Sequence, residues 1–208
     1  MQDTKKLQSP NVANEPTAEY SRQYSYADYV KFDFDYMVEL IKGKIYKMSA
    51  APKSYHQEIC FNLGRHIGNF LVSKPCKAYP APFDVILPFN QKDKNKATSV
   101  VQPDLTVICD LDKIEEVGCV GAPDWVIEVI SKRTAKKDMT DKYNLYEEAG
   151  VREYWVVYPL DYVVNVFVLE DGKYSRKPIF NQEDIASPTI FPEMKINLFD
   201  VFPKPKSG

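Results

Sequence analysis

From Trp125 to Ile130 the chain reads Trp-Val-Ile-Glu-Val-Ile, apolar at every position except Glu128. The run is short, rich in β-branched and aromatic residues, and bounded by Asp124 and Ser131, which fits a strand. Alternate residues of a strand share a face, so Trp125, Ile127 and Val129 take one side and Val126, Glu128 and Ile130 the other. Apolar residues on both sides need cover on both sides, which is the situation of a central strand. An ionised carboxylate there costs several kcal/mol unless a metal, a cation or hydrogen bonds compensate it. For Glu128 alone, a structural pairing with Arg or Lys and a functional role are about equally good explanations.

Asp104 shifts that balance. It opens a second apolar segment, Pro-Asp-Leu-Thr-Val-Ile-Cys-Asp over 103–110, and shares a strand face with Thr106 and Ile108. A turn residue after Pro103 is the plain alternative. If the two strands are neighbours, Asp104 and Glu128 converge, and two carboxylates with a carbonyl and waters form the oxygen-rich set that Mg²⁺ prefers. The spacing after Thr134, a capping residue, predicts a helix to Ala149 with Gly150 as its stop. On it Asp138, Lys142 and Tyr146 recur at i, i+4 and i+8 and lie on one stripe, and Lys142 sits beside the apolar Met139 and Leu145. Most helical lysines reach water, but this one follows directly after the Glu128 strand.

Elsewhere, residues 1–23 are polar and aperiodic and read as a flexible arm, 24–202 as a single domain, and 203–208 as a frayed tail. A short helix is expected in "SYADYVKF" and a hairpin around Lys42-Gly43. A longer amphipathic helix starts at Ser54, whose spacing to Gln57 suggests a capping box, and carries Ile59, Leu63 and Ile67 on one face. Strands are expected in "FDVILP" and "EYWVVYP", a loop in "FNQKDKNKATS", a loop with one helical turn in "LDKIEEVGCVGA", and a hairpin turning at Asp171-Gly172. This order gives an α/β fold, a mixed β-sheet flanked by helices. A net charge of −2 confines any polyanion site to a local patch. The four cysteines, Cys60, Cys76, Cys109 and Cys119, form no Cys-x-x-Cys pair and read as reduced thiols of a cytoplasmic protein. No apolar run has the length of a signal peptide or membrane span, so no membrane partner is expected.

The segments "VQPDLTVICD", "GAPDWVIEVIS" and "TAKKDMTDKYNLYEEAGVREYWVVYP" resemble the Uma-type endonuclease family of the restriction-endonuclease-like, PD-(D/E)XK nuclease superfamily. The resemblance runs from Tyr36 to Pro159 and is densest over 103–159. It implies a restriction-endonuclease-like core with additional β-hairpins, a metal site on Asp104 and Glu128, and Lys142 as the catalytic lysine moved from the usual position, here Ile130, onto the next helix. "VELIKGKIY" matches the family's opening hairpin with Glu39 as its acid, and "SYHQEI" its first helix with His56. Two positions depart from the pattern: Ser131-Lys132 replaces Ser-Pro, and Lys44 stands where an acid is common.

Glu39 reads as an accessory metal ligand or an edge charge, and His56, in line with Cys60 and Leu63, as a satisfied histidine or a proton-transfer group. Lys132, Arg133, Lys136 and Lys137 are candidate phosphate contacts or a solvated helix start. The resulting expectation is a Mg²⁺-dependent endodeoxyribonuclease, with Mn²⁺ as substitute, acting on double-stranded DNA as a homodimer. Its catalytic residues would be Asp104, Glu128 and Lys142. The competing class is a catalytically silent nuclease-fold module for binding or assembly.

Overall fold

The computed structural model describes residues 22–48, 53–90, 92–131 and 134–203. The expected arm therefore lies outside the described residues up to position 21, as does the tail from 204. The order begins with α1 (Tyr26–Tyr29), β1 (Val38–Ile41), β2 (Lys44–Lys47), α2 (Ser54–Leu71), β3 (Lys77–Pro80), β4 (Val85–Ile86), β5 (Val100–Val101) and β6 (Leu105–Ile108). It continues with β7 (Ile114–Glu115), β8 (Gly118–Val120), β9 (Trp125–Val129), a π-helical segment Lys137–Lys142 that runs into α2's successor α3 (Tyr143–Ala149), and β10 (Glu153–Tyr158). The last strands are β11 (Val163–Glu170), β12 (Lys173–Arg176), β13 (Phe180–Asn181), β14 (Ile185–Ala186) and β15 (Ile196–Asn197). No helix among the described residues is long and apolar enough to cross a membrane.

The fold is α/β with mixed sheets, as expected, but it has two large sheets and not one. One sheet has the order β2-β1-β5-β4-β8-β7; the other is β12-β11-β10-β9-β6-β3, with β13 beside β11; β14 and β15 form a separate pair. β9 lies between the antiparallel β6 and the parallel β10, so it is the central strand its composition demands. Its two faces enter different cores. Trp125, Ile127 and Val129 pack with Ile59, Leu63 and Ile67 of α2, while Val126 and Ile130 pack with Ile41, Val85 and Val101 of the other sheet and Leu145 of α3. Both predicted tight turns are present. Lys42 and Gly43, and Asp171 and Gly172, all have positive φ, the geometry of a two-residue hairpin turn twisted like its strands.

Four local expectations are corrected. The helix over Ser54–Leu71 is capped by Lys53, whose carbonyl accepts from His56 N–H at 3.0 Å, so Ser54 lies inside the first turn and the Ser54–Gln57 capping box does not form. The segment after β6 has the expected helical turn, at Leu111–Lys113, but its remainder is no loop: it folds into the β7–β8 hairpin, and β8 pairs in parallel with β4. The helix after Thr134 is not uniformly α-helical, because Lys137–Lys142 is π-helical. Cys76 and Cys109 are joined in a disulfide, their Cα atoms 3.9 Å apart, whereas Cys60 and Cys119 are free thiols. The reason is register: Lys77 pairs with Ile108 across antiparallel β3 and β6, so the residues just outside that pair face each other.

Gly118 is the tightest joint between these hairpins. At φ 130 it takes a conformation that L side chains rarely adopt, and a Cβ there would overlap the carbonyl oxygen of Asp84 beside β4. Gly118→Ala is expected to lower unfolding stability by roughly 2–4 kcal/mol. Gly68→Ala, in open space on α2, should raise it by up to about 1 kcal/mol. Urea unfolding of both variants checks the pair.

Candidate active site

The register of β6 on β9 runs Leu105↔Ile127, Thr106↔Val126 and Val107↔Trp125, and its continuation sets Asp104 across from Glu128. The chain just before β6 belongs to the other sheet's neighbourhood: the N–H of Gln102 donates to Glu39 Oε1 on β1 at 3.0 Å. Acids from both sheets are thus drawn to one place. Asp104 Oδ2 accepts from the Val129 N–H at 2.7 Å and lies 3.3 Å from His56 Nε2 of α2. Glu128 Oε1 accepts from Lys142 Nζ at 2.7 Å and from the Tyr146 hydroxyl at 2.9 Å.

Lys142 is the centre of the group. Its Nζ is also 2.7 Å from Glu39 Oε1 and 4.0 Å from Asp138 Oδ1. The ammonium is buried, as are Glu39, Glu128 and Asp138. Glu39 is therefore no edge charge: β1 lies between β2 and β5, and the carboxylate holds Lys142 with one oxygen and Lys137 with the other, at 2.5 Å.

Lys137, read from the sequence as either a phosphate contact or a solvated helix start, pairs inward with Glu39, and its side chain is only 17% exposed. The cause is the π-helical segment Lys137–Lys142. Residues five apart point far from each other on an α-helix, but an i→i+5 hydrogen-bonding ladder stacks them. Both lysines then reach Glu39. Lys136 is exposed, and Lys132 and Arg133 lie outside the described residues.

Burial and charge separate the acids. Burial alone raises the pKa of Glu39, but Lys142 and Lys137 outweigh it and hold the carboxyl down at about 2. Glu128 goes the other way. Burial outweighs Lys142, the charges of Asp138, Asp104 and Glu39 add to it, and its pKa rises to about 8. Asp138 is also raised, mainly by burial. For Lys142, burial opposes the charge, but Glu128, Glu39 and Asp138 keep the ammonium protonated. Lys142 stays a cation, and burial with the surplus of neighbouring acids pushes the Glu128 carboxyl toward its protonated form. Burial likewise works against a charged His56 ring, and Asp104 overcomes it and raises the pKa.

Asp104 and Glu128 are the two carboxylates that could hold a hard cation. Hydrogen bonds engage Oδ2 of Asp104 and Oε1 of Glu128. Two carboxylate oxygens completed by water suit Mg²⁺. Sequence reasoning singled out Asp104, Glu128, Lys142, Glu39 and His56. It did not find the inward turn of Lys137, which carries no periodic signal, or the Gln102 N–H that fixes Glu39.

The raised pKa of Glu128 has a consequence for the metal-free protein. The folded state holds this proton more tightly than the unfolded chain, so stability falls as pH rises from the ordinary value of 4.5 through about 8. Glu128→Gln cannot ionise. Relative to wild type it should gain stability over that window, by on the order of a few kcal/mol above pH 8. Urea unfolding in chelator from pH 4 to pH 9 measures the difference, and a variant less stable than wild type at pH 8 would contradict the assignment.

No curated protein matches the chain. Among solved structures it is similar to one described as "a putative nuclease belonging to DUF820" from Anabaena variabilis ATCC 29413, at 20% identity and a TM-score of 0.67. The match covers 86% of this chain and 97% of that one, and at this identity it speaks for the fold. The model of the family described as "Uma2: Putative restriction endonuclease" matches residues 19–198. That span holds both large sheets and every member of the buried acid and lysine cluster, and the chain belongs to this family.

Proposed function

We propose that this protein hydrolyses phosphodiester bonds in DNA with Mg²⁺, or Mn²⁺ in its place, using Asp104, Glu128 and Lys142. The observation that carries the reading is the buried Lys142 ammonium bonded to Glu128, on the strand next to that of Asp104. Neither stability nor protein binding calls for such a group, since apolar replacements of buried ion clusters are often neutral or stabilising. A cation bound by Asp104 and Glu128 would supply Lewis acidity toward the phosphate and acidify an attacking water.

The chain's own residues supply the rest. Lys142 offers a fixed positive charge where negative charge accumulates on the phosphoryl oxygens. Glu39 positions it, and also positions Lys137, with carboxylate oxygens already committed to both ammonium groups. His56 and the Val129 N–H orient Asp104. Lys136, exposed at the start of the helix, supplies sequence-independent phosphate contact. Cutting both strands of a duplex is simplest with two such sites related by a two-fold axis, so the working unit in this reading is a homodimer.

The first test is nicking of supercoiled DNA with Mg²⁺ or Mn²⁺. Wild type should cut, and Asp104→Ala and Glu128→Gln should not. Either ion should also raise the thermal midpoint of wild type, because a ligand that binds only the folded state stabilises it, and Glu128→Gln should lose that increment. DNA that binds in a salt-dependent manner but is never nicked with either ion would favour the silent binding module.

Lys142→Met keeps the apolar stem and removes the charge. It should abolish cleavage while metal-induced stabilisation persists. Removing one partner of a buried ion cluster costs about 3–5 kcal/mol, so its stability should drop on that scale. Retained cleavage in a folded Lys142→Met protein would remove this lysine from the chemistry.

A further inference from the structure

We propose that His56, Cys60 and Asp104 form a second cation site, selective for thiophilic ions such as Zn²⁺ and Co²⁺, and that an ion held there withdraws Asp104 from the Mg²⁺ site. The second half of this statement rests on the nuclease reading. The first half does not.

His56 and Cys60 are i and i+4 on α2, so their side chains lie on one face of the helix. Cys60 Sγ is 3.5 Å from His56 Nδ1, and His56 Nε2 is 3.3 Å from Asp104 Oδ2. One donor atom from each of the three residues can be chosen so that all lie within 4.8 Å of one another. Tetrahedral zinc has bonds of about 2.3 Å to sulfur and about 2.0–2.2 Å to nitrogen and oxygen, which sets its donors roughly 3.3–3.6 Å apart. An imidazole gives one nitrogen to an ion, so either choice of His56 nitrogen keeps one edge at that length, and side-chain rotation must shorten the others from within 4.8 Å.

The chemistry of the set separates it from the proposed Mg²⁺ site. A nitrogen, a sulfur and an oxygen form a borderline-soft donor set that favours zinc and cobalt, whereas magnesium takes oxygen. The site is half-buried: the His56 side chain is 13% exposed and that of Asp104 20%, so it is not sealed from solvent, and a water would be the fourth ligand. The Val129 N–H on Asp104 Oδ2 is an outer partner of the kind that orients ligating carboxylates. Binding replaces the thiol proton: the Cys60 S–H bond breaks, a sulfur–metal bond forms, and the proton leaves to water. The other cysteines do not compete, since Cys76 and Cys109 are in a disulfide and Cys119 is buried.

Titration of the full chain with Co²⁺ tests the site without DNA. The expected result is one equivalent bound with a thiolate-to-cobalt charge-transfer band in the near ultraviolet, displaced by Zn²⁺. Cys60→Ser and Cys60→Ala, each checked for native near-ultraviolet circular dichroism, should lose the band, and His56→Ala should weaken binding at least tenfold. Absence of the band in wild type, or its persistence in both Cys60 variants, would overturn the site. In the cleavage assay Zn²⁺ should inhibit Mg²⁺-dependent nicking by wild type, and Cys60→Ser should need at least tenfold more Zn²⁺ for the same inhibition. Equal inhibition of the two would overturn the competition for Asp104. A wild type inactive in Mg²⁺ defeats the nuclease reading, and the cobalt titration still decides the site.

Discussion

The ammonium of Lys142 is where the parts of this molecule meet. It touches Glu39 from one sheet and Glu128 from the other, each at 2.7 Å, and it reaches Asp138 on its own helix. Taking these charges out of water is costly, and mutual attraction offsets the cost only when the geometry is good and the remaining oxygens are satisfied. Here the Gln102 N–H and Lys137 add to Glu39, and the Tyr146 hydroxyl adds to Glu128. The sheets, the helix and the loop before β6 are thus constrained to one another by a polar contact inside an otherwise apolar interior.

The same cluster gives chemically identical groups different states. Glu39 faces two ammonium groups and is held as an anion, whereas Glu128 faces one and is surrounded by other acids. Asp104 stands apart, bonded to a backbone N–H and a histidine. Environments that push titratable groups apart are what functional sites use to assign roles. In the metal-free protein the proton on Glu128 relieves the excess of negative charge. In the proposed metal site a cation on that carboxyl would displace the proton. On the proposed reading, stability and site chemistry pull in opposite directions at Glu128.

The Cys60–His56–Asp104 contact links this site to the helix on the opposite side of the β6–β9 pair. In the two proposed sites Asp104 would belong to donor sets of different softness. The identity of the ion, and not only its concentration, would then determine which set holds the carboxylate.

Much of the arrangement follows from the sequence through short-range rules. The apolar run around Glu128 requires a strand covered on both faces, and the strand period assigns Trp125, Ile127 and Val129 to one core and Val126 and Ile130 to the other. Lys42-Gly43 and Asp171-Gly172 are legible because their turns need positive φ. The stripe Asp138, Lys142, Tyr146 is legible because neighbouring turns of a helix superimpose such residues. What depends on pairing between distant segments is not. The Cys76–Cys109 bond follows from the register of β3 on β6, and the β7–β8 hairpin from an open strand partner in β4. The cap at Lys53 and the inward turn of Lys137 depend on how the helices seat, the latter through a π-helical segment that local spacing does not encode. The sequence by itself determined which residues must be buried and which carry charge into the core. Only the tertiary structure decided which charges meet, because strand register and helix seating minimise the energy of the whole interior and not that of any one segment.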